Sequence, residues 1–199
     1  MNTPDITTPV SVSHSWRVVD IVVATVVGVA CGVIFLAWNT VGYAWYEAMD
    51  ALTPGLAGIA TGIWLLGGPL GAAIIRRPGA AIFVETVAAV VSALIGNKWG
   101  ITTLYSGLAQ GLGAEIAFWL GRYRSYSMGR ILLSGVLAGW GAWVLELFLS
   151  PNLPKGVVFN SIYLVTMSIS GLILAGGVAW ITVKSLRACG VLTRFSSGR

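Results

Sequence analysis

The chain has 199 residues, 56% of them hydrophobic and 10% charged, with a formal net charge of +5 and a mean hydropathy of +0.84. Soluble domains average about 25% charged residues, so this composition excludes an ordinary water-facing surface and leaves little material for a soluble domain. The chain is expected to lie mostly in lipid.

In chain order, residues 1–15 (MNTPDITTPVSVSHS) are polar and carry no Lys or Arg. A secretory signal would open on a basic region before a short apolar core, so these residues are expected to form a disordered tail with His14 solvated. Six apolar runs follow, at about Val18–Ala37, Leu56–Ile75, Ala80–Gly96, Leu104–Gly121, Met128–Leu149 and Val158–Val183, each of 17 or more residues. As helices these approach or reach the roughly 20 residues that cross a hydrocarbon core of about 30 Å. Placing both termini and alternate loops on one side gives that side Arg17, Arg76, Arg77, Arg122, Arg124, Arg130, Lys184, Arg187, Arg194 and Arg199. The other side receives only Lys98 and Lys155. By the positive-inside rule both termini are expected to be cytoplasmic. The basic charge is then topology, and no nucleic-acid partner is expected. The expected fold class is all-α, a bundle of six transmembrane helices in the lipid bilayer spanning 16–187, with cytoplasmic tails at 1–15 and 188–199.

The first run carries Ala24, Gly28 and Gly32 at four-residue spacing, a small-residue groove that admits another helix, within the chain or from a partner. Its Cys31 is far from Cys189, so neither a disulfide nor a thiol metal site is expected. The outward segments are aromatic. Trp38–Gly55 contains Trp38, Asn39 and Trp45, and Asn97–Gly100 contains Asn97 and Trp99. Such side chains form either an interfacial belt or the walls of a pocket.

Three acids lie inside the spans, Glu85, Glu115 and Glu146. A charge at mid-bilayer costs roughly 2.5–3.5 kcal/mol on insertion scales, so each should face a cavity or a partner group. Glu85 shares a helical face with Ala88, Ala89 and Ser92, and Gln110 points about 140° away from Glu115. Glu146 lies one turn from Trp143, while Asn160, Tyr163, Met167 and Gly171 form one stripe. Together they describe an outer pocket with aromatic walls, amides and carboxylates, suited to a flat, cationic or amine-bearing ring. The alternative is that the acids accept hydrogen bonds within the bundle, with Glu85 as a pocket floor or a brace toward Gln110 or Glu115.

Several functions are excluded by what the sequence lacks. It holds no phosphate-cradling GxxxxGK[ST] loop, no His/Cys cluster for a metal or haem, and no Ser with a His partner inside the membrane, so neither an enzyme nor a cofactor is expected. Active transport would draw energy from an ion gradient or from another subunit.

The blocks RRPGAAIFVE (Arg76–Glu85), LIGNKWG (Leu94–Gly100), GLAQGLGAEIAF (Gly107–Phe118), RYRSYS (Arg122–Ser127) and ISGLILAGG…GVL (Ile169–Leu192) resemble the YkoE family. Its members are substrate-binding S components of energy-coupling factor (ECF) transporters, and the resemblance covers most of 16–192. It implies a six-helix subunit in a prokaryotic plasma membrane that binds thiamine or its hydroxymethylpyrimidine precursor at the outer face. It also implies a transmembrane coupling protein as partner, meeting Ala24, Gly28 and Gly32, and cytoplasmic ATPase subunits that hydrolyse the ATP. On this reading Trp38, Asn39, Trp45, Asn97, Trp99, Trp143, Asn160 and Tyr163 line or lid the pocket. Glu85, Glu115 or Glu146 pairs with the ligand's amine or cation, and Gln110 bonds its ring nitrogens. The competing reading is a stand-alone proton-coupled transporter with Glu85 and Glu115 as relay, although no paired broken helices are evident.

Overall fold

A computed structural model describes residues 15–192. The tail bearing His14, and Arg194 and Arg199 at the other terminus, lie outside the described residues. Among the described residues every regular element is helical: α1 (Val18–Leu52), a 3-10 segment (Leu56–Leu65), α2 (Gly67–Ile75), α3 (Ala80–Ile95), α4 (Thr102–Trp119) and α5 (Met128–Leu149). After a short 3-10 turn (Leu153–Lys155) follow α6 (Gly156–Ser170), a π segment (Gly171–Gly177) and α7 (Val178–Ala188). Four stretches are long and apolar enough to cross a membrane, namely Val18–Leu52, Leu56–Ile75, Met128–Leu149 and Leu153–Ala188, and Ala80–Ile95 is a shorter apolar helix.

α1 runs 15 residues past the expected end at Ala37 and absorbs most of the expected first outer loop. Trp38–Leu52 contains no proline and is rich in residues that tolerate a helix, so nothing in it breaks the backbone bonding. The stop comes at Thr53, extended at φ −154° and ψ 124° as a residue before proline prefers, and at Gly55, whose φ of +91° suits glycine. At the opposite end Asp20 sits in the first turn. It accepts from Arg17 Nη2 at 2.7 Å and from Arg77 Nε at 3.2 Å, tying the start of α1 to the α2–α3 turn.

The expected second helix is broken in two. Leu56–Leu65 is wound as 3-10 and α2 restarts at Gly67, where Pro69 falls in its first turn and needs no intrahelical donor. α3 packs along α1. The small face of α1 is where they meet, because a Cβ at Gly28 would stand 2.7 Å from Val87 and one at Gly32 2.6 Å from Val91. Ala24, Gly28 and Gly32 are therefore buried inside the chain, while Val22, Val26, Val29 and Val33 are the exposed face of α1. The arginines gather at one end of the bundle, where Arg76 also lies over the Tyr126 ring (5.4 Å) and Arg130 donates to the Ala117 carbonyl (2.8 Å).

Candidate functional site

At the other end a cavity of about 460 Å³ opens between α1, the 3-10 segment and α3 to α6. Of the residues expected at a site, Asn39, Glu85, Asn97, Trp99, Gln110, Glu146 and Tyr163 come together in its wall. Beside them stand Phe35, Tyr43, Tyr46, Thr61, Trp64, Ser92, Ser106 and Lys155.

One wall is aromatic. Tyr43 stacks on Tyr46 at 5.9 Å and 8°, Trp99 meets Tyr43 edge-on at 5.8 Å, and Trp64 meets Trp99 edge-on at 5.7 Å. Their orientation is set by amides. Trp64 Nε1 donates to Asn39 Oδ1 (2.8 Å), and Asn39 Nδ2 donates to Ser92 Oγ (3.2 Å). Asn97 Nδ2 reaches the same hydroxyl at 3.4 Å, and its Oδ1 accepts from Trp99 N, Gly100 N and Thr103 Oγ1 at 2.9–3.1 Å. This side chain therefore closes the turn ahead of α4 and ties it to the cavity.

The two acids of the wall differ in their engagement. Glu85 is fully buried, and its Oε2 accepts the Gly68 N–H at 2.5 Å, where α2 begins and its first amides have no helical partner. With its amide nitrogen turned toward them, Gln110 donates to Glu85 Oε1 (3.2 Å) and to the Trp64 carbonyl (2.9 Å), and accepts from Ser106 Oγ (2.8 Å). The acid in the lipid-facing sequence is thus the cap of a broken helix and the floor of the cavity. Glu146 instead hydrogen-bonds the Tyr163 hydroxyl, which is bonded in turn to Tyr46. Lys155 shares this part of the wall, with its Nζ 4.3 Å from the Phe159 ring.

Five expected site residues lie outside the cavity wall. Glu115 is at the arginine-rich end, where its carboxylate accepts from Gly79 N (2.6 Å) and Ala81 N (2.9 Å) and caps α3. The Tyr123 hydroxyl bonds it too, and burial together with that carboxylate pushes the Tyr123 phenol up to about 12. Trp38 donates to the Ala60 carbonyl (2.9 Å) and meets Trp45 edge-on at 6.0 Å. Trp143 donates to the Asn160 carbonyl (3.2 Å), while the Asn160 amide bonds the Asn152 and Gly156 carbonyls and fixes the α5–α6 turn. Phe35, Tyr43, Tyr46 and Trp64 are aromatic wall residues that the sequence alone did not single out. Phe35, Asn39, Tyr43 and Tyr46 recur at helical spacing on one face of α1, a signal visible only when α1 is carried through to Leu52.

Among the described residues no three His, Cys, Asp or Glu side chains are grouped to hold a metal ion. The wall instead offers ring faces, amides and two carboxylates around a space within the roughly 300–1,000 Å³ of small-molecule sites. Residues 19–141 match the family model for the permease component of an ABC-type cobalt transport system. The putative HMP/thiamine permease protein YkoE of Bacillus subtilis (strain 168) is 32% identical in a 189-residue alignment that covers 93% of this chain and 92% of that protein. A crystal structure of an S component of an ECF transporter, also 32% identical, superposes with a TM-score of 0.85 over 92% of each chain. Sequence and fold agree along nearly the whole length, and the chain belongs to the YkoE family of ECF-transporter S components.

Proposed function

We propose that the cavity binds thiamine or its hydroxymethylpyrimidine half and hands it to a transport complex that takes its energy from ATP hydrolysed by partner subunits. The observation that carries this reading is the pairing, in one wall, of the Tyr43–Tyr46–Trp99–Trp64 ring cluster with the carboxylates of Glu85 and Glu146. A thiazolium cation is attracted to ring faces, and an aminopyrimidine gains charge-assisted hydrogen bonds from a carboxylate. Glu146, linked to the Tyr163 and Tyr46 hydroxyls, is the acid free to meet the ligand. Glu85 closes the floor. The YkoE relative, by its name, handles the same two compounds.

The topology of this reading has six spans, with α3 and α4 completing the set, both termini on the arginine-rich cytoplasmic side and the cavity open to the outside of a prokaryotic plasma membrane. The segments 1–15 and 188–199 are its cytoplasmic tails, around a binding domain of 16–187. A transmembrane coupling protein and cytoplasmic ATPase subunits are its partners. Because α3 fills the Ala24–Gly28–Gly32 groove, contact with the coupling protein falls on outward surfaces such as the valine face of α1. The proton-relay alternative would need Glu85 and Glu115 to exchange protons, and both are committed to backbone N–H groups at helix starts.

Calorimetric titration of the purified chain with thiamine, hydroxymethylpyrimidine, other water-soluble vitamins and cobalt(II) tests the assignment. Saturable binding of the first two and not of the others is expected. Binding of cobalt(II) alone, or of a different vitamin alone, would refute it.

A further inference from the structure

Lys98 and Lys155 are, among the described residues, the basic side chains at the cavity end of the bundle. Lys98 lies in the turn between α3 and α4, held from below by Asn97, which bonds Ser92 on one side and the Trp99 and Gly100 amides on the other. The backbone is thereby anchored while the Lys98 side chain is exposed. Its ammonium lies over the ring of Tyr43 and 5.0 Å from the ring of Trp99. Those rings meet edge-on at 77°, so they form two walls of an open cage, and both belong to the cavity wall. No carboxylate among the described residues forms an ion pair with Lys98.

A ring face attracts a cation through one negative lobe. A second cation brought to the same face finds the area taken and meets like charge at short range. The aromatic wall that suits a cationic ligand thus already serves a cation belonging to the chain. We propose that Lys98 is a tethered competitor for the Tyr43–Trp99 cage: a cationic ligand binds there only by displacing its ammonium, and Lys98 thereby sets the discrimination between cationic and neutral ligands. The inference deepens the proposed function and rests on the reading that the cavity takes a flat ring. Thiamine, with its fixed positive charge, pays for the displacement; the neutral hydroxymethylpyrimidine can sit over Glu85 and Gln110 without disturbing Lys98.

The experiment compares native protein with Lys98→Met, which keeps most of the stem without the charge, and Lys98→Arg, which keeps the charge. Calorimetry is run with thiamine and with hydroxymethylpyrimidine. Lys98→Met should bind thiamine roughly two- to five-fold more tightly, the scale of one exposed cation–ring contact. Its affinity for the pyrimidine should not change, and Lys98→Arg should stay within about two-fold of native for both ligands. Unchanged or weaker thiamine binding in Lys98→Met, with the protein folded by thermal melt, would overturn the proposal. A second arm needs neither vitamin. Amine acylation of native protein is mapped by peptide mass spectrometry with and without tetramethylammonium, a cation without hydrogen-bonding groups, using Lys184 as internal reference. Displacement predicts faster acylation of Lys98 and constant acylation of Lys184, and equal rates at Lys98 would overturn it. If neither vitamin binds native protein, the ligand assignment fails while this arm still decides the role of Lys98.

Discussion

Replacing Glu85 isolates what the buried acid does. Its Oε2 accepts the Gly68 N–H at 2.5 Å in a site with no exposure to solvent. A hydrogen bond to a charged group contributes about 1.5–3 kcal/mol, a neutral one about 0.5–1.5 kcal/mol. Glu85→Gln keeps an acceptor of the same shape, so it should cost at most about 1 kcal/mol, the difference between the two classes. Glu85→Ala removes the acceptor altogether. It leaves the Gly68 amide buried without a partner, at about 1–3 kcal/mol, and opens a void under Gln110 that adds to the loss, for a total of about 3 kcal/mol. At roughly 2–4 °C per kcal/mol for a chain of this size, melting should fall by no more than about 2–4 °C in Glu85→Gln and by about 6–12 °C in Glu85→Ala. Fluorescence-detected thermal unfolding in detergent reads both. The break at Leu66–Gly67 also carries Trp64, so Glu85→Ala should lose ligand affinity while Glu85→Gln retains most of it. If Glu85→Ala melts with the native protein, Glu85 does not hold the start of α2 and the reasoning fails.

Glu115→Ala tests the other capping acid. It should lower melting by a similar few degrees through the lost bonds to Gly79 and Ala81, yet leave thiamine affinity within about two-fold, since its carboxylate is remote from the cavity; a ten-fold loss of affinity would place it in the site instead. Gly32→Val forces new carbon atoms onto Val91 and should separate α1 from α3 at a cost of about 1–3 kcal/mol, seen as a lower melting temperature. A stable Gly32→Val protein would mean that the two helices are not packed through that groove.

The helical, lipid-embedded character of the chain was legible because apolar run length and charge depletion act at the level of whole segments. What escaped was decided by single contacts. The run ending at Ala37 marked where apolar composition gave way, not where the helix stops; only Thr53–Pro54–Gly55 ends it, and the Tyr43–Tyr46 face went unseen with the last four turns of α1. The groove at Gly28 and Gly32 was readable as a close approach, but spacing carries no information on which helix fills it, and α3 does. Glu85, Glu115 and Glu146 look alike in sequence. The structure separates them by the groups opposite each: a broken helix, a helix start, and a tyrosine hydroxyl. Asn97 was expected in the pocket and stands in its wall, but its bonds to the Trp99 and Gly100 amides, which close the turn, were not read from the sequence.

The nine residues of α2 rise about 13.5 Å, less than half of a hydrocarbon core of about 30 Å, and the 3-10 segment before it is wound too tightly to continue the same bonding ladder. An unsatisfied backbone group facing lipid costs several kcal/mol, so the stretch Leu56–Ile75 is not an autonomous transmembrane unit. It is sheathed by its neighbours, with 83% of its apolar window buried inside the protein. The amide at its discontinuity is completed by a carboxylate seventeen residues further along the chain. This span therefore exists as tertiary structure before it exists as secondary structure, and the wall it supplies to the cavity stands only while α3 stands against it.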